Sequence, residues 1–102
     1  MGRKILFITT DQQRYDALGC NGGTIALTPV LDALSRAGIT FDRAHPQNVV
    51  CMPSRSTMLT GQHVSTHGVW MNGVPLPEDA PSIAADLRGA GYATALIGKA
   101  HF

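Results

Sequence analysis

Residues 4–10, Lys4-Ile5-Leu6-Phe7-Ile8-Thr9-Thr10, form an apolar and partly β-branched run, and polarity then rises abruptly at Asp11-Gln12-Gln13-Arg14. A continuous apolar run of this length suits a strand covered on both faces, as in a parallel sheet. Asp11 then falls at the carboxyl end of a strand, where open α/β sheets bind ligands. Residues 19–23 read as a loop. Thr28 suits an N-cap and Pro29 the first helical position; Val30, Leu31, Leu34 and Ala37 then share one face, and Gly38 closes the helix. Residues 39–44 alternate apolar and polar and predict a short second strand. A helix is expected to open just after Pro53 and run to Gly61. Residues 62–81 are rich in turn formers, among them Gly68, Gly73, Pro75 and Pro77. A short amphipathic helix over 82–88 is stopped by Gly89 and Gly91, and 92–97 read as a third strand. The order β-α-β-α-α-β is the pattern of an α/β fold. With neither repeat nor linker, residues 1–102 belong to a single domain.

Composition narrows the class. Charged residues make up 15% of the chain, below the roughly one quarter of an average domain, and there are 11 glycines. That balance favours buried strands and tight turns over a solvated helical bundle. The net charge is +1 and the basic residues are scattered singly, so a nucleic-acid partner is not expected. No apolar stretch approaches the ~18 residues of a membrane span. The first apolar run is too short for a signal peptide core, and Leu6 stands where a myristoylation site needs Ser or Thr. The expectation is a cytoplasmic chain without a membrane partner. Two cysteines, Cys20 and Cys51, make no disulfide scaffold, and a bridge between them fits a cytoplasmic chain poorly.

Cys51 carries the first chemical signal. It follows a loop and precedes a helix, and a helix N-terminus offers free N–H groups and partial positive charge. Such a place activates a thiol or binds an anion. Arg55 is four residues on, one helical turn away, where a guanidinium can hold an anionic oxygen. A small buried cysteine at a helix start is the competing interpretation from chemistry alone.

The segment Cys51-x-Pro53-Ser54-Arg55, followed by Leu59-Thr60-Gly61, resembles the signature of the sulfatase family. Two further segments resemble it in order. The first strand ends in Asp11-Gln12, where the family carries an acidic pair that binds a divalent cation. The run from Gly91 to His101 ends in Gly98-Lys99-Ala100-His101, like the family's second signature. Residues 28–34 are similar to the family's first helix. The resemblance implies the alkaline phosphatase-like fold, a doubly wound and mostly parallel sheet with flanking helices, of which 1–102 would be the N-terminal portion.

The resemblance also implies a chemistry. Cys51 would be oxidised to formylglycine by a formylglycine-generating enzyme that reads Cys-x-Pro-x-Arg. One hydroxyl of the hydrated aldehyde would attack the ester sulfur, and the other would let the sulfate leave. Asp11, Gln12 and residue 51 would hold the cation, calcium in the usual case, with magnesium or manganese as alternatives. Gln12 departs from the family's second aspartate; its amide oxygen still suits a hard cation but removes one negative charge. Arg55 and Lys99 would neutralise charge on the transferring group, Lys99 would contact the sulfate, and His101 would hydrogen-bond the diol. Further metal ligands, a histidine and a lysine would come from much later in the chain, so 102 residues are expected to be marginally stable and inert alone.

Two other functions compete with a sulfuric ester hydrolase. A phosphonate monoester or phosphodiester hydrolase of the same superfamily shares the nucleophile, and Gln12 favours it. A noncatalytic truncated product is argued against by the intact Cys-x-Pro-Ser-Arg and Gly-Lys-x-His. The small-molecule ester itself and the oligomeric state are not legible. His45, His63 and His67 with Cys51 match no common zinc spacing. Cys20 reads as a small apolar filler. Trp70, Met71 and Asn72 read as loop packing or as part of the substrate entrance. Ser54 and Ser56 lack a Gly-x-Ser-x-Gly elbow.

Overall fold

Capping chemistry places the first helix. In the computed structural model, which describes residues 2–102, α1 runs Pro29–Ala37, with Thr28 at its N-cap position. The Gly38 N–H closes it onto the Leu34 carbonyl at 2.9 Å. The Thr28 hydroxyl does not cap its own helix. It accepts the Gly19 N–H at 2.8 Å and donates to Asp32 Oδ1 at 2.9 Å. The same carboxylate oxygen accepts the Cys20 N–H at 2.8 Å. These three bonds tie the 3-10 turn Gly19–Asn21 to the start of α1. Residues 19–23, expected as a loop, therefore hold a short helical turn, and a second one precedes it at Tyr15–Ala17. Cys20 is exposed rather than a filler, and it serves the Asp32 carboxylate chiefly through its backbone N–H.

The chain divides into two compact units, Met1–Ala44 and His45–Phe102. The first contains the two 3-10 turns and α1. The second contains α2 (Cys51–Thr60), α3 (Val64–His67) and α4 (Ile83–Gly89). Its buried residues gather on and around α2: Met52, Pro53, Ser54 and Ser56 from the helix, His67 from α3, and Val69 beyond it.

The helix expected to open after Pro53 begins two residues earlier, at Cys51. Proline belongs in a first turn as readily as before it, because the N–H it lacks would have no intrahelical acceptor there. At the other end Gly61 takes the left-handed conformation at φ 69°, and its N–H closes onto the Thr57 carbonyl at 2.8 Å. α4 starts one residue later than its apolar pattern suggested, because Ser82 serves as the N-cap and accepts the Ala85 N–H at 3.1 Å. Gly89 ends inside the helix. The stop is Gly91 at φ 88°, flanked by bonds from Gly91 N to Arg88 O and from Tyr92 N to Leu87 O, both 3.0 Å. That pair of bonds is a Schellman ending.

The three expected strands are not formed: among the described residues there is no β-ladder. Residues 4–10, 39–44 and 92–97 run without regular secondary structure, and their apolar side chains face solvent, with Leu6 83% and Ile97 96% exposed. A strand is defined by its neighbour, since its N–H and C=O groups need a ladder partner, and none of these segments has one among the described residues. The apolar face of α1 is uncovered in the same way at Val30 and Leu34. No helix is long and apolar enough to cross a membrane among the described residues.

Candidate active site around Cys51

Local chemistry turns the chain into α2 just ahead of Cys51. Asn48 Oδ1 accepts the Val50 N–H at 2.8 Å, a side-chain turn that leads the backbone into the helix. Val50, extended at the N-cap, has no side chain that can accept a bond from the first turn. Cys51 is therefore the first helical residue and half-buried; behind it the Met52 N–H is taken by Asn72 Oδ1, Pro53 has no N–H, and the Ser54 N–H closes onto the Val50 carbonyl at 3.2 Å. Arg55 follows one turn later and is also half-buried. Ser54 and Ser56 on either side of it are buried, Ser56 completely, which leaves neither available as a nucleophile.

Arg55 joins the two motifs of the second unit. Its Nη1 donates to the Lys99 carbonyl oxygen at 3.1 Å, across 44 positions of sequence. Cys51, Arg55 and the Gly98-Lys99-Ala100-His101 segment thus belong to one connected arrangement. Lys99 and His101 are exposed. His101 adopts the left-handed conformation at φ 53°.

Asp11 and Gln12 lie in the first unit, both exposed, and Gln12 has φ 54°. Gln12 and His101 are the non-glycine residues with positive φ among the described residues, and both are candidate site residues. Such conformations cost energy and gather at functional sites. Asp11 offers a carboxylate and Gln12 an amide oxygen, the donor chemistry a hard divalent cation takes. No group of three or more His, Cys, Asp or Glu side chains that could hold a metal ion gathers among the described residues.

The remaining histidine of note is structural. His67 is buried, its Nδ1 accepts the Val69 N–H at 3.1 Å, and its Nε2 lies 3.0 Å from Thr57 Oγ1. A backbone N–H can only donate, so Nδ1 carries no proton, and Nε2–H donates to the Thr57 hydroxyl. His67 thereby pins α3 to α2. His63 Nδ1 lies 3.1 Å from Gln47 Oε1. Both cysteines are free thiols.

Asn72, read from the sequence as loop packing or part of the substrate entrance, is a direct neighbour of Cys51. Its Oδ1 accepts the Met52 N–H at 3.1 Å and lies 3.5 Å from Cys51 Sγ. The only sequence signal was its placement in a turn-rich segment beside Gly73.

Comparison with known proteins bears on this arrangement. A family model described as Sulfatase matches residues 3–102. An ulvan-active sulfatase of Formosa agariphila is 39% identical over 97 residues, covering 95% of this chain and 19% of the relative. An N-acetylglucosamine-6-O-sulfatase of Bacteroides thetaiotaomicron is 36% identical over 97 residues, covering 95% and 17%. An arylsulfatase of Clostridium perfringens is 37% identical over 103 residues, covering 99% and 21%. The chain thus spans about a fifth of the length of these relatives. No solved structure matches it. With nearly every residue inside the family match, and the Cys-x-Pro-Ser-Arg helix bonded to the Gly-Lys-x-His segment, the chain belongs to the sulfatase family.

Proposed function

We propose that this chain is the nucleophile-bearing portion of a formylglycine-dependent sulfuric ester hydrolase, whose family implies the alkaline phosphatase-like α/β fold. The observation that carries the reading is the Arg55–Lys99 bond, which joins the two signature segments through their own residues. The uncovered apolar runs at 4–10 and 92–97 agree with strands that a larger parallel sheet would take in.

In this reading the side chain at position 51, oxidised to an aldehyde and hydrated, supplies the nucleophilic oxygen. Asp11, Gln12 and residue 51 are the proposed holders of a divalent cation, calcium in this proposal, which would supply Lewis-acid polarisation of a sulfate oxygen. Arg55 orients residue 51 and, with Lys99, offsets negative charge as the ester bond breaks. His101 hydrogen-bonds the group at position 51. The substrate is a small-molecule sulfate ester, the modifying partner is a formylglycine-generating enzyme, and the free thiols suit a reducing, cytoplasmic location.

The test, on the whole protein that carries this portion, is mass spectrometry of the peptide containing residue 51 after co-expression with a formylglycine-generating enzyme, followed by turnover of an aryl sulfate and an aryl phosphonate monoester. Replacement of the thiol mass by the aldehyde or its hydrate, with turnover favouring the sulfate, is the expected result. An unmodified Cys51, under conditions that convert a control sulfatase, overturns the reading.

A further inference from the structure

The first turn of α2 lacks a cap of its own. The N–H of Met52, the second helical residue, has no intrahelical acceptor, and Val50 offers it none. The acceptor comes from twenty residues later, as Asn72 Oδ1 at 3.1 Å. The same oxygen lies 3.5 Å from Cys51 Sγ and accepts from the thiol. An amide oxygen has two lone pairs, so one atom serves both donors. Gly73 adds a third tie: its N–H donates to Met52 Sδ at 3.0 Å. Gly73 has φ 91°, a conformation glycine takes without strain. Met52 is buried, which fixes the thioether that receives this bond. The turn at 71–74 therefore latches onto α2 at Cys51 and Met52 and at the sulfur of the Met52 side chain.

We propose that Asn72 is a positioning residue for the side chain at position 51. Asn72 Oδ1 can only accept, so it holds whatever donor Cβ of residue 51 carries and fixes the rotation about its Cα–Cβ bond. A hydroxyl on that carbon is a stronger donor than the thiol it replaces. On the sulfatase reading, on which this consequence rests, one hydroxyl of the hydrated side chain is held by Asn72 and the other is left to face the ester. A plain helix cap would need the Met52 N–H alone; the shared contact with Sγ is what points to the reacting group.

The experiment uses the whole protein with Asn72→Ala and Asn72→Asp, each checked by mass spectrometry for the state of residue 51. Amide exchange reads the latch and does not depend on conversion. Asn72→Ala is expected to speed exchange at Met52 about tenfold, with the turns from Arg55 onward unchanged. Asn72→Asp is expected to keep Met52 protected, because a carboxylate oxygen accepts the same bond. On converted protein, Asn72→Ala is expected to lower kcat for an aryl sulfate about tenfold with KM within about twofold. Unchanged Met52 exchange in Asn72→Ala overturns the latch. A raised KM with kcat intact overturns the positioning role and makes Asn72 a substrate contact. If Asn72→Ala loses protection along all of α2, Asn72→Asp decides: protection at Met52 supports the proposal and its loss overturns it. An unconverted residue 51 with the expected exchange pattern sinks the sulfatase reading and leaves the latch standing.

Discussion

The guanidinium of Arg55 holds the backbone of Lys99: Nη1 donates to the Lys99 carbonyl oxygen at 3.1 Å. The two cations named for the sulfate thus have separable duties. Arg55 supplies a charge and fastens the Gly-Lys-x-His segment to α2, whereas Lys99 is fastened through an atom that every residue at position 99 would retain.

Substitutions should separate these duties. Arg55→Ala removes the charge and the tie together, and about a hundredfold loss of kcat is expected, the scale of losing one donor to a developing oxyanion. Lys99→Ala keeps the carbonyl, so backbone order parameters over 97–101 should stay unchanged while activity falls. Because Arg55 belongs to the modification motif, both rates are normalised to the formylglycine content read by mass spectrometry. Lower order parameters over 97–101 in Lys99→Ala than in Arg55→Ala would show that the tie runs through the lysine side chain instead.

The Asp32 knot predicts an acid-sensitive element in the first unit. Partial desolvation pushes the carboxyl up, but the bonds it accepts from the Cys20 N–H, the Thr28 hydroxyl and the Cys20 thiol, with Arg36 nearby, outweigh that and leave it below the usual aspartate range. A carboxyl with a depressed folded pKa adds stability above its unfolded value, and that stability is lost as pH falls through the folded value. The amide signal of Cys20 is expected to titrate with a midpoint below the ordinary aspartate range, and Asp32→Asn should flatten the titration. A midpoint at or above the ordinary value would mean that the knot does not favour the ionised form.

Those elements that depend on neighbours in sequence were readable without coordinates, and those that depend on distant atoms were not. Thr28-Pro29 and Gly38 bound α1 through local backbone chemistry, and the helix runs Pro29–Ala37 accordingly. Cys51 and Arg55 sit on one helix because a four-residue spacing is one turn. Pro53 was misleading because proline marks a first turn without saying which of its residues it occupies. Residues 4–10 read as a strand covered on both faces but are exposed and unpaired, because apolarity alone supplies no ladder partner. Asn72 was invisible as a helix cap because its acceptor reaches back twenty residues, and no spacing rule spans such a loop.

Gly23 is required for space. A Cβ built there would lie 2.6 Å from the Asp16 carbonyl oxygen and 2.8 Å from that of Leu18, both backbone atoms that no side-chain rotation can move. The Gly23 N–H also closes onto the Leu18 carbonyl at 2.9 Å. Gly23→Ala should cost about 1–3 kcal/mol in denaturant unfolding, the usual range for overpacking. Gly22→Ala is the instructive contrast: it meets nothing within 4 Å but sits at φ 90°, so its cost is one of backbone conformation alone.

The bond between Thr57 and His67 joins α2 to α3, and it tests whether the buried imidazole is held in one tautomer. The Val69 N–H occupies Nδ1, so the proton on Nε2 has the Thr57 hydroxyl as its partner at 3.0 Å. Thr57→Val keeps the shape of the side chain but leaves without an acceptor the proton of His67, itself only 5% exposed. A loss of about 1–3 kcal/mol of unfolding free energy is expected, the cost of a buried donor left without an acceptor. Thr57→Ser keeps the hydroxyl and removes one methyl, for which about 1 kcal/mol is the expected loss. The Val69 amide should stay protected in Thr57→Ser and exchange faster in Thr57→Val, because a ring freed at Nε2 no longer holds Nδ1 in place. Equal losses in the two variants would assign the effect to the packing of the methyl group, and the hydroxyl–imidazole bond would then be dispensable to the joint.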